Sequence, residues 1–266
     1  MLRPQEKAVC ELLASRHDRM IEDLRFAVEI PTKSGFNEGL DCYRDAMKGR
    51  LERLNANVSL IAGDPRPAWI DPGDSEGEAS PPPTLVADRL LGDPGLPRVL
   101  LAGHLDTVHP PTSAFRRFTI EDGTGRATGP GVVDMKGGLV VALHALEVLA
   151  ELDERVSWSF ILNSDEETGS YHSDRALRAT AANHDFGLAL EPAMPDGGLV
   201  IERPGSGQFQ IEATGRASHV GRDFASGISA VNALASSILE VSKIPDATRG
   251  IIASIGPLQG GAAANV

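Results

Sequence analysis

Residues 99–106 read VLLAGHLD, a short apolar run that leads directly into a histidine and an aspartate. The same arrangement recurs twice further along the chain, since residues 156–167 read VSWSFILNSDEE and residues 186–192 read FGLALEP. Each apolar run has the length and composition of a buried strand, and each ends in side chains of the kinds that bind metal ions. The three runs therefore predict a sheet whose strands end at one edge rich in carboxylates.

Helical patterns separate these strands and predict the fold class. Apolar residues recur at helical spacing near residues 135–151 and 173–182, and a further strand is predicted over residues 84–87. Upstream, the same spacing predicts helices over residues 5–30 and 40–54. Strands that alternate with helices are typical of an α/β sheet, in which sites form beyond the carboxyl ends of the strands.

Two further segments depart from this alternation. Residues 63–83 are rich in proline and acids and show no periodicity, which predicts a surface excursion or a disordered loop. The pattern changes again near residue 201, where the sequence predicts the first part of a small α+β domain. Its predicted elements are a strand over residues 208–214, a helix over residues 226–242 and a strand over residues 250–255. The expected organisation is a catalytic domain over residues 1–200 and a partial second domain over residues 201–266.

Composition and charge narrow the class of protein. Apolar residues make up 41% of the 266 residues and charged residues 23%, as in ordinary soluble globular proteins. The net charge of -12 repels phosphate backbones and anionic lipid, so neither a nucleic acid nor a membrane is an expected partner. Cys10 and Cys42 cannot form a disulfide framework, and the charged amino terminus lacks the apolar core of a signal peptide. We expect a cytoplasmic protein.

The acids at the predicted sheet edge require counter-charge. Asp134 joins them from the glycine-rich loop GPGVVDMKGG, residues 129–138. Like charges a few ångströms apart raise one another's pKa values strongly, and bound divalent cations remove that repulsion. One imidazole with several carboxylates suits zinc, manganese or cobalt. Two such ions about 3.5–4 Å apart that share a bridging aspartate would neutralise most of the charge.

Spacing within the motifs indicates a separate chemical role for each side chain. Residues i and i+2 of an extended segment point to the same side, so Asp106 can orient the ring of His104. Glu166 and Glu167 are neighbours and face opposite ways. One of them can ligate a metal ion while the other reaches a metal-bound water as general base.

Five motifs in a fixed order resemble those of the M20 metallopeptidases. They are GHLDTV (103–108), GPGVVDMKGG (129–138), DEETGS (165–170), the pair Glu191-Pro192, and GRASHVG (215–221). That family includes glutamate carboxypeptidases, aminoacylases, succinyl-diaminopimelate desuccinylases and acetylornithine deacetylases. The resemblance extends over residues 85–266.

The resemblance implies two divalent metal ions, zinc with cobalt or manganese as alternatives. It assigns His104 and Glu191 to different ions and makes Asp134 the bridge between them. Glu167 would bind the other ion beside a terminal histidine that the family supplies.

The resemblance also implies roles around the metals. Asp106 would support the ligand histidine, and Glu166 would be the general base. His219 is similar to the histidine that the lid domain of a partner subunit contributes to stabilise the tetrahedral oxyanion, which implies a homodimer. Asn265, in a Gly-Gly-x-x-x-Asn-Val stretch, is similar to an asparagine that contacts substrate.

The fold implied by the resemblance is a zinc-peptidase-like catalytic domain with a mainly parallel mixed sheet flanked by helices. The first part of an inserted α+β, ferredoxin-like dimerisation or lid domain would follow it. The implied reaction is hydrolysis of the amide bond of N-acyl amino acids or of peptides with a free carboxylate, by a hydroxide that bridges the metals. Glutamate at position 191 resembles the carboxypeptidase and deacylase branch, because aminopeptidases more often carry aspartate there.

Two other functions remain open at this point. Members of the family continue beyond the position of Val266 and supply the last histidine ligand there, so we expect this chain to be a fragment or a truncated product. A truncated chain could be a non-catalytic metal-binding or dimerisation remnant. Aminopeptidase activity is the other alternative, and substrates with free and blocked amines separate it from carboxypeptidase activity.

Overall fold

The computed structural model describes residues 2–67, 69–70 and 80–261. Contacts divide the chain into two compact units, and the boundary between them in the sequence falls between Ile201 and Glu202. The helices described are α1 (Pro4–Ser15), α2 (His17–Glu29), α3 (Asn37–Arg53), α4 (Gly137–Glu151), α5 (Asp174–Ala181) and, in the second unit, α6 (Ala230–Val241). None of these helices is both long and apolar enough to cross a bilayer.

The first unit is built on a five-stranded mixed sheet. The strands described are β1 (Asn57–Ile61), β2 (Thr84–Arg89), β3 (Arg98–His104), β4 (Thr119–Ile120), β5 (Ala127–Thr128), β6 (Ser157–Asn163) and β7 (Phe186–Ala189). The order in the sheet is β1-β2-β6-β3-β7, with β3 parallel to β6 and β7, and β2 antiparallel to β1 and β6. The short strands β4 and β5 pair with each other. The predicted α/β sheet flanked by helices is therefore confirmed.

The central strand shows why its sequence is a continuous apolar run. All seven residues of β6 are buried, because a central strand is covered on both faces. On one face, α3 and α4 bring Leu40, Leu51 and Leu143 against Phe160 of β6. The other face carries a smaller apolar cluster that includes Ala176 of α5. Most of the core therefore lies under α3 and α4, and α4 begins beside the carboxyl end of β3.

The helix predicted over residues 5–30 is wrong as one element, because it is two helices. The chain breaks at Arg16, whose backbone N–H donates to the carbonyl of Leu13 in a tightened last turn of α1. The guanidinium of Arg16 pairs with Glu147 and Glu151 of α4. This anchor holds the break against α4, a contact that local periodicity does not reveal.

The strands predicted over residues 208–214 and 250–255 are wrong. Neither segment forms a strand. Among the described residues of the second unit, the only β-type backbone pairings are the isolated bridges Arg216–Ile228 and Asp246–Ile251. A strand needs a partner for its backbone N–H and C=O groups, and an alternating pattern does not specify one. The helix predicted over residues 226–242 is present as α6.

Part of the proline-rich segment lies outside the description. Residue 68 and residues 71–79 of the predicted loop over residues 63–83 are not among the described residues, and the described remainder forms neither helix nor strand. At its start, Asp64 forms an ion pair with Arg175 of α5 and its backbone N–H donates to the carbonyl of His172. These contacts fix the point where the segment leaves the body of the first unit.

Gly138 and Gly49 form a matched pair for a stability measurement. A Cβ at Gly138, in the first turn of α4, would lie 2.0 Å from the carbonyl oxygen of Leu190, whereas a Cβ at Gly49 in α3 meets nothing closer than 3.8 Å. We expect Gly138→Ala to lower the free energy of unfolding by about 1–3 kcal/mol through overpacking. Gly49→Ala should raise it by up to about 1 kcal/mol, because alanine favours the helix. Urea denaturation measures both, and equal effects would contradict the close approach at Gly138.

Candidate metal centre

His104 is the last residue of β3 and its ring is almost fully buried. Its Nδ1 lies 2.9 Å from the backbone oxygen of Asp106, which can only accept a hydrogen bond. Nδ1 therefore carries a proton, and Nε2 is the atom left to ligate. Burial acts to lower the pKa of His104, but the hydrogen bond and charge of Asp106 and the charge of Glu191 raise it to about 9. A metal ion at Nε2 would have to displace a proton.

Two carboxylates face that nitrogen. Oδ1 of Asp134 lies 3.0 Å from Nε2 of His104, and Oε1 of Glu191 lies 3.7 Å from it. The three ligand atoms lie within 4.8 Å of one another. Within residues 2–67, 69–70 and 80–261, this is the group of three metal-binding side chains that converges.

The glycine-rich loop positions Asp134. Gly131 has a φ of +71°, and a Cβ there would lie 2.9 Å from the methyl group of Thr107. Two residues after Asp134, the buried Lys136 donates through Nζ to the carbonyl oxygens of Ala27 and Ile30 at 2.9 and 2.7 Å. Burial lowers the pKa of Lys136 to about 7. The loop is thus tied to the end of α2 before α4 begins.

The order of the strands in the sheet brings Glu191 close to Nε2 of His104. The backbone N–H of Leu190 donates to the carbonyl of Ala102 at 3.0 Å, which continues the pairing of β7 with β3. Gly138 allows the carbonyl of Leu190 to approach the first turn of α4. Glu191 follows directly and is partly buried. The structure puts Glu191 with His104 in one group, whereas the sequence prediction assigned the two residues to different ions.

Asp106 is fully buried and connects His104 to the acidic loop. Its carboxylate accepts hydrogen bonds from the hydroxyl of Ser34 at 2.7 Å and from the backbone N–H groups of Glu166 and Glu167 at 3.1 and 3.2 Å. Its Oδ1 lies 3.4 Å from Nδ1 of His104. Burial acts to raise the pKa of Asp106, but the hydrogen bonds from His104 and Ser34 outweigh it and hold that pKa below its usual value. One ionised carboxylate thus fixes both the imidazole and the backbone of the two glutamates.

The two glutamates differ in their surroundings, although they lie in a single 3-10 turn, Glu166–Thr168, and not in the extended segment that the sequence predicts. Glu166 is exposed, whereas Glu167 is partly buried. Burial and the negative charge of Asp134 raise the pKa of Glu167. Glu167 and Asp134 are among the residues that line a cleft of about 460 Å³. A second cation beside these two carboxylates would relieve their repulsion.

Two predicted site residues are not among the described residues of the first unit. His219 belongs to the second unit, where it is exposed and its Nδ1 accepts a hydrogen bond from the backbone N–H of Gly221 at 3.1 Å. Asn265 lies outside the described residues. Sequence reasoning missed Ser34, whose only signal was its position in the turn that follows the first helices.

The donor set fits a divalent transition metal. One imidazole nitrogen and two carboxylate oxygens converge, and the nitrogen is oriented by a hydrogen bond at the other side of its ring. Imidazole and carboxylate ligands suit zinc, manganese and cobalt.

Sequence comparisons identify similar proteins. The model of peptidase family M20/M25/M40 matches residues 100–254. Carboxypeptidase G2 from Pseudomonas sp. (strain RS-16) is 26% identical over 255 residues, which cover 94% of this chain and 57% of that protein. Succinyl-diaminopimelate desuccinylase 2 from Shewanella loihica (strain ATCC BAA-1088 / PV-4) is 33% identical over 138 residues, which cover 46% of this chain and 36% of that protein. The chain spans about half the length of the curated relatives it matches.

Solved structures share the fold. Human carnosine dipeptidase 1 superposes with a TM-score of 0.61 at 21% identity, over 71% of this chain and 41% of that one. A tripeptidase from Staphylococcus aureus superposes with a TM-score of 0.58 at 21% identity, over 93% of this chain and 62% of that one. At these identities the likeness establishes the fold alone.

Proposed function

Since the chain belongs to peptidase family M20/M25/M40, we propose that it carries out metal-dependent hydrolysis of the amide bond of N-acyl amino acids or of peptides with a free carboxylate. The observation that carries the proposal is the convergence of His104, Asp134 and Glu191 beside Glu166 and Glu167. The names of two relatives, a carboxypeptidase and a desuccinylase, favour substrates of this class.

Four side chains would hold the metal ions. His104, Asp134 and Glu191 would bind one ion, and Asp134 and Glu167 would contribute to a second. When bound, such ions polarise the scissile carbonyl and lower the pKa of water. Zinc is the expected metal, with cobalt or manganese as alternatives, because the donor set is mixed nitrogen and oxygen.

Glu166 would transfer the protons. Its backbone is fixed by the hydrogen bond to Asp106, while its side chain is exposed next to the metal ligands. A carboxylate in that position can accept a proton from the attacking water and return it to the leaving amine. Asp106 would act as a positioning residue, because it holds His104 and the glutamate backbone in one hydrogen-bonded unit.

The proposal includes two contributions from outside the first unit. His219 would stabilise the negative charge that develops on the carbonyl oxygen, from a partner subunit in a homodimer. Asn265 would contact the substrate. Both roles stay predictions.

Removal of metal tests the proposal. We expect the chain, loaded with zinc, cobalt or manganese, to release amine from N-acetyl and N-succinyl amino acids. Dialysis against a chelator should abolish this release, and metal added back should restore it, because the carboxylates and His104 supply no Lewis acid of their own. A ninhydrin or fluorogenic amine assay measures the release.

The controls separate the alternatives. Peptide amides with a free amine and no free carboxylate report aminopeptidase activity, and hydrolysis of these substrates alone would overturn the proposed substrate class. Tight metal binding without hydrolysis of any substrate would favour the non-catalytic remnant. Activity that survives complete metal removal would contradict the metal-dependent reaction.

A further inference from the structure

The cleft lined in part by Asp134 and Glu167 also has walls formed by residues outside the metal-binding group. It is formed wholly by the first unit and its volume of about 460 Å³ lies in the range of small-molecule sites. Its walls come from the segment after Asp106 and from the glycine-rich loop before Asp134, so the residues that bind metal and those that form the walls are neighbours in sequence. The residues along it include Thr107, Val108, His109, Phe115 and Val133.

The walls present apolar side chains to solvent. Val108, Phe115 and Val133 are 58%, 47% and 63% exposed. The ring of Phe115 packs edge-on against His109, with centroids 5.1 Å apart, which gives the aromatic wall a fixed orientation. Exposed apolar surface within a concave site gains free energy when a ligand removes it from water.

The lining of the cleft offers a carboxylate no cationic side chain. Among the described residues, its acidic lining side chains are Asp134 and Glu167, which the proposed function assigns to metal ions, and no lysine or arginine lines it. Arg116 lines an adjoining cavity of about 250 Å³ that shares Phe115 with the cleft. A carboxylate placed against the apolar walls would lose water without forming an ion pair there. An uncharged acyl chain therefore fits these walls better than a charged one.

We propose that this cleft receives the acyl group of the substrate and selects uncharged apolar acyl groups larger than acetyl. The assignment rests on the proposed function, in which the leaving amino acid carries the free carboxylate. With the scissile carbonyl at the metal ligands, the carboxylate-bearing half lies outside the cleft, and the acyl chain lies along Val108, Phe115 and Val133.

The experiment compares Phe115→Ala with Phe186→Ala. Phe186 of β7 is 48% exposed, almost the same as Phe115, and does not line the cleft. The substrates are N-acetyl-, N-hexanoyl- and N-succinyl-alanine, which differ only in the acyl group. We expect Phe115→Ala to lower kcat/KM for the hexanoyl substrate about tenfold and for the acetyl substrate less than about twofold. Phe186→Ala should leave both within about twofold, and the unaltered chain should prefer hexanoyl to succinyl by about tenfold or more.

Equilibrium binding keeps the two proposals apart. Calorimetry of the metal-loaded Glu166→Gln chain, in which turnover is slowed, gives affinities for N-hexanoyl- and N-succinyl-alanine. In that background, a loss of about tenfold in hexanoyl binding on Phe115→Ala, together with no hydrolysis of any substrate by the unaltered chain, would support the cleft and overturn the proposed function. If Phe115→Ala does not change kcat/KM, or if the unaltered chain prefers the succinyl substrate, the proposed role of the cleft is overturned and the proposed function is retained. Absence of hexanoyl binding would also overturn the cleft.

Discussion

Replacement of Glu166 by glutamine is expected to lower kcat for an N-acyl amino acid by about 10²–10⁴-fold, the contribution of a well-placed general base. Glutamine has the same shape but cannot take the proton from water. The backbone N–H of residue 166 still donates to Asp106 in this variant, so the acidic loop and His104 keep their positions. Steady-state kinetics measures the loss, and metal analysis of the same sample should show unchanged metal per chain.

Glu11→Gln is the control for the loss of one acid. Glu11 is exposed on α1, outside the residues that form the candidate metal centre. It should leave kcat within about twofold, as a surface substitution does. A Glu166→Gln variant that retains full activity would remove Glu166 as the base. A variant that loses its metal would show that Glu166 acts through metal binding and not through proton transfer.

The ligand-bearing edge could be predicted because strand content is a local property. The runs over residues 99–106, 156–167 and 186–192 are short and apolar, and each ends in candidate ligands, so the strands follow from the sequence. The predicted burial is wrong for β7, which is exposed along its whole length as described. The parallel pairing of β3 with β6 and β7 then brings those ends to one edge. The order of the strands is not local. Glu191 joins His104 because β7 is the neighbour of β3, and nothing in either run encodes that choice.

Contacts between segments that are far apart in the sequence are the other feature that could not be predicted. Ser34 donates to Asp106 across 72 positions of sequence, and Arg16 meets Glu151 across 135. Such pairs depend on how helices pack, which periodicity within one helix does not determine. The strands predicted in the second unit failed for a related reason, since an alternating pattern fits a strand only where a partner supplies its hydrogen bonds.

Asp134→Asn should have the largest effect on metal binding. An amide oxygen carries no charge, and Asp134 contributes to both proposed ion sites. Loss of a partner outside the ligand set already costs about 10–100-fold in metal affinity, so loss of this carboxylate should cost at least about 100-fold. Metal content after dialysis measures the effect, with Asp122→Asn in an exposed turn as the control.

The same substitution has different consequences for the metal-free and metal-loaded chains. Without metal, the variant removes a charge that repels Glu167 but also the carboxylate that faces the protonated ring of His104, so the free energy of unfolding should change little. With metal at 100 times the dissociation constant of the unaltered chain, binding stabilises that chain by about 2.7 kcal/mol. A hundredfold weaker site leaves about 0.4 kcal/mol of this gain. Thermal unfolding with and without zinc should therefore show a large shift for the unaltered chain and for Asp122→Asn, and almost none for Asp134→Asn. An equal shift in all three would show that Asp134 does not bind the ion.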